Sequence, residues 1–228
     1  MTALSRLVGK LAKLPAAETY DVIVERDLQV PMPDGVVLLA DRYVPRGADR
    51  LPTILVRSCY GRRGFLGLIY GYLFAERGYQ VVIQSTRGTF GSGGQLDPFG
   101  CERDDGLATV AWLKQQPWFN GEFATNGASY LGFVQWAIAS GAGPELKAMA
   151  IQVSTAEFRN QTYTGGSYAL DTTLSWINMM ANQEKPLGLI RQMIAVNRTL
   201  RSFRSGSSIL SRLIPIGRRA TLVRRSRM

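Results

Sequence analysis

No histidine occurs anywhere in the 228 residues. That absence excludes an imidazole base, a His-ligated metal and a histidine pH switch from within this chain. Cysteine is nearly as scarce. Cys59 and Cys101 are too few for a disulfide scaffold, and reduced thiols in a cytoplasmic protein are the simpler reading. No apolar run reaches the 18 or so residues of a bilayer-spanning helix. Charged residues amount to 19%, below the usual quarter. Acid is missing altogether from residues 185–228, which hold Lys185 and ten arginines, while residues 1–184 carry 16 basic and 17 acidic side chains. The formal charge of +10 therefore belongs to the last stretch. It is not the footprint of a nucleic-acid partner on the body of the protein.

Against these absences, 46% apolar residues and 24 glycines fit buried strands joined by tight turns. Leu4, Leu7, Val8 and Leu11 follow helical spacing with Arg6, Lys10 and Lys13 between them, and Pro15 stops the pattern. Such a basic amphipathic helix lies on a membrane surface or docks on its own domain, and docking is the reading taken. Val22 to Val30 and Val36 to Val44 flank a turn cluster ending in Asp34-Gly35 and read as an antiparallel hairpin. Thr53 to Val56 and Tyr79 to Ile83 are short continuous apolar runs, as in strands covered on both faces. Leu66 to Arg77, closed by Gly78, reads as the helix between them. A Gly-rich loop at Arg87–Gly94 precedes a helix over Glu102–Gln115, whose Asp104 and Asp105 suit its first turn. Phe123 to Ala128, Tyr130 to Ser140 and Leu146 to Val153 continue as strand, helix and strand. This alternation implies βαβ crossovers and one mostly parallel α/β sheet, covered on both faces.

Gly127-Ala128-Ser129-Tyr130-Leu131-Gly132 falls where a strand gives way to a helix. A serine there is lifted off the sheet edge, small neighbours let the backbone cross tightly, and the Tyr130 N–H is placed to donate to an oxyanion. The general elbow pattern wants glycine at Leu131, so the turn alone is weak. Pro117-Trp118-Phe119-Asn120-Gly121 followed by this Gly-x-Ser-Tyr-x-Gly turn resembles the cocaine esterase / X-Pro dipeptidyl-peptidase family of α/β-hydrolases. Met32 to Leu38 with Asp41-Arg42-Tyr43, and Arg87-Gly88 with Gly91-Ser92-Gly93-Gly94, are similar to that family's opening hairpin and later loop. The likeness runs over residues 22–185.

The resemblance implies an α/β-hydrolase fold, incomplete at its C-terminal end, and hydrolysis of a small-molecule ester, amide or short peptide without cofactor or metal. It implies Ser129 as acylated nucleophile, with the oxyanion held by the Tyr60 hydroxyl and the Tyr130 N–H. Cys59 stands where the family usually has proline, which would loosen the loop carrying Tyr60. Ser85 stands where it usually has aspartate, so whatever that carboxylate fixes would be missing. Arg87 is expected to pair with Asp104 or Asp105 in a structural role. The family's triad acid and histidine have no counterpart here, and a Ser–Lys dyad with Lys114 or Lys147 has no support in the spacing.

The expected organisation is an amphipathic segment at 1–20, the N-terminal part of the hydrolase domain at 21–154, the start of a helical cap at 155–205 and an Arg-rich tail at 206–228. Arg198, Arg201 and Arg204 suit a surface helix. The acid-free tail is what a shifted reading frame in a gene rich in G and C produces, so the expected frame departs near residue 205 and the chain itself is inactive. A non-catalytic ligand-binding relative is the alternative. Oligomeric state is left open.

Overall fold

The computed structural model describes residues 2–185. The expected cap beyond 185, the helix at Arg198–Arg204 and the tail at 206–228 lie outside the described residues. Two units are distinguished, one up to Leu170 and one from Asp171 onward.

The first unit is built on a six-stranded sheet. Strands β1 (Val22–Pro31), β2 (Val37–Pro45), β3 (Thr53–Ser58), β4 (Gln80–Ser85), β5 (Phe123–Ala128) and β6 (Leu146–Gln152) lie in the order β1-β2-β4-β3-β5-β6. The hairpin β1–β2 is antiparallel, and β2 joins β4 antiparallel. From β4 through β3 and β5 to β6 the pairing is parallel. Central β3 and β4 are buried at every position, as their unbroken apolar runs require. Alternation along them feeds two cores. Ile54, Val56, Val81 and Ile83 meet Tyr43, Ala75 and Leu131 on one face. Leu55 and Val82 meet Leu38, Val110, Leu113, Phe123 and Ile138 on the other. Each such side chain contributes about 1.5–3 kcal/mol of burial. Strand β6 departs from the expected two-sided cover: it pairs only with β5 among the described residues and is half exposed.

Helix α1 (Thr2–Leu11) precedes the sheet. Helix α2 follows β3 over residues 64–75, in place of the expected 66–77, and widens into a π turn at Gly67–Tyr72. Tyr43 supplies the reason. A Cβ on Gly67 would stand 2.5 Å from its hydroxyl, and one on Gly71 2.7 Å from its ring. These two glycines let the helix lie directly on the tyrosine. Helix α3 (Glu102–Lys114) leads into β5, and α4 (Tyr130–Ile138) leaves it. A short helix α5 (Phe158–Thr162) and a two-stranded ribbon, β7 (Tyr163–Thr164) and β8 (Ser167–Tyr168), complete this unit. Helix α6 (Leu170–Asn182) opens the second, with the Asn182 amide donating to the Asn178 carbonyl at 2.7 Å.

Candidate active site

Ser129 sits between β5 and α4 at φ 57° and ψ −123°, a conformation foreign to most L-residues. The neighbours explain how the chain reaches it. A Cβ on Gly127 would fall 2.4 Å from the Leu131 Cβ, and one on Gly132 would fall 2.5 Å from the Ser154 Cβ. Neither position admits a side chain, so the strand can turn into the helix within one residue. The Ser129 N–H donates to the Gln152 carbonyl at 2.9 Å, tying the turn to the end of β6. Buried Gln135 holds it from below, its amide donating to the Leu131 carbonyl at 2.9 Å and accepting from the Thr125 hydroxyl at 2.8 Å. Ser129 itself is exposed, and no side chain among the described residues hydrogen-bonds its hydroxyl.

Tyr130 begins α4, so its N–H belongs to the helix's first turn and points back along the axis. Its phenol does different work. The hydroxyl donates to Glu102 Oε1 at 2.6 Å and accepts from the Phe99 N–H at 3.2 Å. Burial, with the Glu102 carboxylate next, drives its pKa far up and keeps it a neutral donor. Glu102 in turn meets Arg57, Nη2 to Oε2 at 2.9 Å, both side chains 2% exposed. Arg57 Nη1 donates to the Glu102 carbonyl at 2.8 Å, and Nε to Gln84 Oε1 at 2.9 Å. Gly106 makes room for that guanidinium, since a Cβ there would be 2.7 Å from Nη1. Two adjacent strands, α3 and the elbow are thereby joined through one buried charge pair.

Tyr60 lies in the loop after β3, two residues beyond Ser58. Strand β3 is the parallel neighbour of β5, so the loops carrying Tyr60 and Ser129 leave the same edge of the sheet from adjoining strands. Tyr60 is half-buried and lines a cavity of about 340 Å³ with Gly61, Arg62, Arg63 and Phe90. Ser129 is not among the residues lining that cavity.

Cys59 is buried, and the loop that follows it is held by Arg62. Arg62 fixes it by donating to Asp41 Oδ1 at 2.9 Å, to Ser85 Oγ at 3.0 Å and to the Phe90 carbonyl at 2.6 Å, and by pairing with Asp27. The Tyr43 hydroxyl donates to the Arg62 carbonyl at 2.9 Å. At the position of the expected aspartate the Ser85 hydroxyl accepts from Arg62, and the carboxylate on that guanidinium is Asp41 from β2. Arg63 reaches the same Asp41 at 2.7 Å and Asp27 at 2.6 Å. A bulge in β1, with Asp27 at φ 57°, brings that second acid over.

Burial alone would raise Asp41, yet Arg63, the Asp27 N–H and Arg62 hold its carboxyl below the ordinary 3.8. Asp27 is held down by Arg63 and Arg62. Because the folded state takes up these protons less readily than the unfolded chain, their stabilisation is complete above pH 3.8. It is lost as pH falls below that value toward the folded pKa. Thermal melts are expected to fall steeply below about pH 4, and Asp41→Asn to lower the melt at pH 7 while flattening the acid limb. An unchanged acid limb in that variant would remove Asp41 from this role.

Arg87 behaves as expected, gripping Asp105 through Nε at 2.9 Å and Nη2 at 2.6 Å, with Asp34 on its third nitrogen at 2.7 Å. Lys114 and Lys147 stand at the far end of the sheet, paired with Glu145 at 2.6 Å and Glu122 at 3.7 Å. The length of β5, roughly 16 Å at 3.3 Å per residue, separates Lys147 from Ser129, so neither lysine forms a dyad with it. The thiols are neutral as well. Burial and then Glu102 push Cys59 far up, and burial and Asp105 push Cys101 up to about 11. Sequence reading missed Glu102, Arg57, Gln135 and an aromatic wall beside the elbow. In that wall Phe99 lies 3.9 Å from Phe158 and 4.9 Å from Phe133, ring centre to ring centre. Only the position of Glu102 in the first turn of α3 offered a signal.

Comparison with known proteins shows the family and the fold. Residues 34–206 match the model of the X-Pro dipeptidyl-peptidase (S15) family. The chain is 37% identical over 160 residues to a cocaine esterase from Rhodococcus sp. (strain MB1 Bresler), covering 67% of this chain and 28% of that protein. A CocE/NonD family hydrolase from Staphylococcus aureus superposes with a TM-score of 0.50 at 30% identity, over 56% of this chain and 27% of that one. Dipeptidyl peptidase 4 of Porphyromonas gingivalis shares the fold, with a TM-score of 0.50 at 19% identity, over 67% of this chain and 23% of that one. The chain thus spans under a third of the length of these relatives.

Proposed function

The chain belongs to the X-Pro dipeptidyl-peptidase (S15) family of hydrolases, and from that premise we propose that it carries the nucleophile half of a serine acyl hydrolase. The observation that carries this is Ser129, exposed at φ 57° on a turn whose two flanking glycines admit no side chain. The Ser129 oxygen attacks an ester or amide carbonyl, and its proton passes to a base. The Tyr60 hydroxyl and the Tyr130 N–H hold the oxyanion as the tetrahedral centre forms. The leaving group takes that proton as the carbonyl re-forms, and water then releases the acyl group from Ser129.

The missing histidine, with Lys114 and Lys147 at the far end of the sheet from Ser129, supports a base supplied from outside these residues. Turnover therefore needs an acid and an imidazole from beyond these 228 residues. The family match stops at residue 206, and the 23 residues from 206 onward hold six arginines and no acid, which supports a change of reading frame near 205. Translating the downstream DNA in all three frames tests this. The expected result is a cap followed by an Asp and a His on loops after further strands, and ester or X-Pro substrate turnover once the frame is joined. A downstream region without such coding potential rejects it, and favours the second reading, a non-catalytic ligand-binding relative, which rests on the missing imidazole.

A further inference from the structure

Helix α1 docks as expected, but with the opposite face. Ser5 is buried and its hydroxyl donates to Glu76 Oε1 at 2.5 Å. Gly9 approaches so closely that a Cβ would lie 2.9 Å from Arg77 Nη2. Arg77 Nε donates to the Pro15 carbonyl at 2.8 Å, and the Glu76 carbonyl accepts from the Glu18 N–H at 2.7 Å. These contacts fix the helix and the strap behind it by small and polar groups.

At about 100° per residue, Leu4, Leu7 and Leu11 stand on the side away from Ser5 and Gly9. They are 49%, 54% and 74% exposed, and Leu14 just beyond is 38% exposed. A helix of a folded domain ordinarily buries its apolar stripe; here the stripe forms an outward ridge. Arg6 and Lys10 are exposed on the sector between the docked side and the leucines, and Lys13 follows them. No acid occurs in the first 17 residues.

We propose that α1 is an interfacial anchor for an anionic lipid surface. Leu4, Leu7, Leu11 and Leu14 enter the boundary between headgroups and acyl chains, while Arg6, Lys10 and Lys13 meet the phosphates. The charge selects this occupant. A second copy of the chain would bring the same cations against these three, whereas negative headgroups complement them. The polar contacts on Ser5 and Gly9 orient the ridge without consuming it, so the helix is presented ready-folded.

Co-sedimentation of the whole 228-residue chain tests this, using vesicles of phosphatidylcholine with phosphatidylglycerol against phosphatidylcholine alone. The variant Leu4→Ser/Leu7→Ser/Leu11→Ser retains every charge, including the arginines of the tail, so what it still binds measures electrostatic adsorption. The expected result is a partition coefficient on anionic vesicles lower by about tenfold or more in this variant, with an unchanged thermal melt. A fluorescent label on Leu7→Cys in a Cys101→Ser background, Cys59 being buried, is expected to brighten and shift blue on the same vesicles. Equal partition of wild type and variant, an unresponsive label, or equal binding to phosphatidylcholine alone would each overturn the proposal. So would a wild-type dimer in sedimentation equilibrium that the variant abolishes while vesicles take up neither protein.

Discussion

In the frame-joined protein, Ser129→Ala is expected to lower kcat by about 10⁶, with binding and the oxyanion donors left to supply the remainder. Tyr60→Phe is expected to lose about 10²–10³, since it removes one donor and leaves the nucleophile in place. The contrast between the two is the informative measurement. A nucleophile is all or nothing, whereas one of two oxyanion donors is a fraction of the stabilisation. The 228-residue chain by itself is expected to show no turnover of activated esters above background. Full activity in Ser129→Ala would discard the elbow as the reacting centre. Turnover by the short chain that vanishes with Ser129→Ala would reveal a base other than histidine.

The second large effect concerns stability. Arg57→Ala is expected to cost about 3–5 kcal/mol in denaturant unfolding, because it strands the Glu102 carboxylate in the interior between Tyr130 and the sheet. Tyr130→Phe removes one neutral donor to the same carboxylate and is expected to cost about 1–3 kcal/mol. Replacing Arg57 and Glu102 together by methionine is expected to recover most of the loss, as the charges then leave as a pair. A loss below about 1 kcal/mol in Arg57→Ala would show that the pair does not hold the elbow to α3.

How far the residues announced this arrangement depended on the range of the interaction. The hairpin, β3, β4 and the elbow are local patterns, and an unbroken apolar run or a Gly-x-Ser-Tyr-x-Gly turn is legible without neighbours. Arg87 with Asp105 was legible because acids in a helix's first turn invite a nearby arginine. Arg57 and Glu102 were not: 45 positions apart, both look like surface charges until the fold buries them together. Asp41 was noticed as part of a motif, but its service to Arg62 and Arg63 needed the register of β2 on β4. Strand β6 was legible as a strand from its apolar run, but its exposure was not, because composition does not show position. Only the sheet order places it at the edge among the described residues. Helix α1 inverted the usual rule, since periodicity identifies an apolar face without saying where it points.

The backbone at Ser129 has a consequence for how the sequence can change over time. A non-glycine residue held there costs on the order of 1–3 kcal/mol, while glycine would accept the same angles freely. Against a total folding stability of about 5–15 kcal/mol, that is a standing handicap removable by a single substitution. A lineage released from any demand on the hydroxyl would fold better by drifting to glycine at this one position. The serine marks a lineage in which that gain has not been taken.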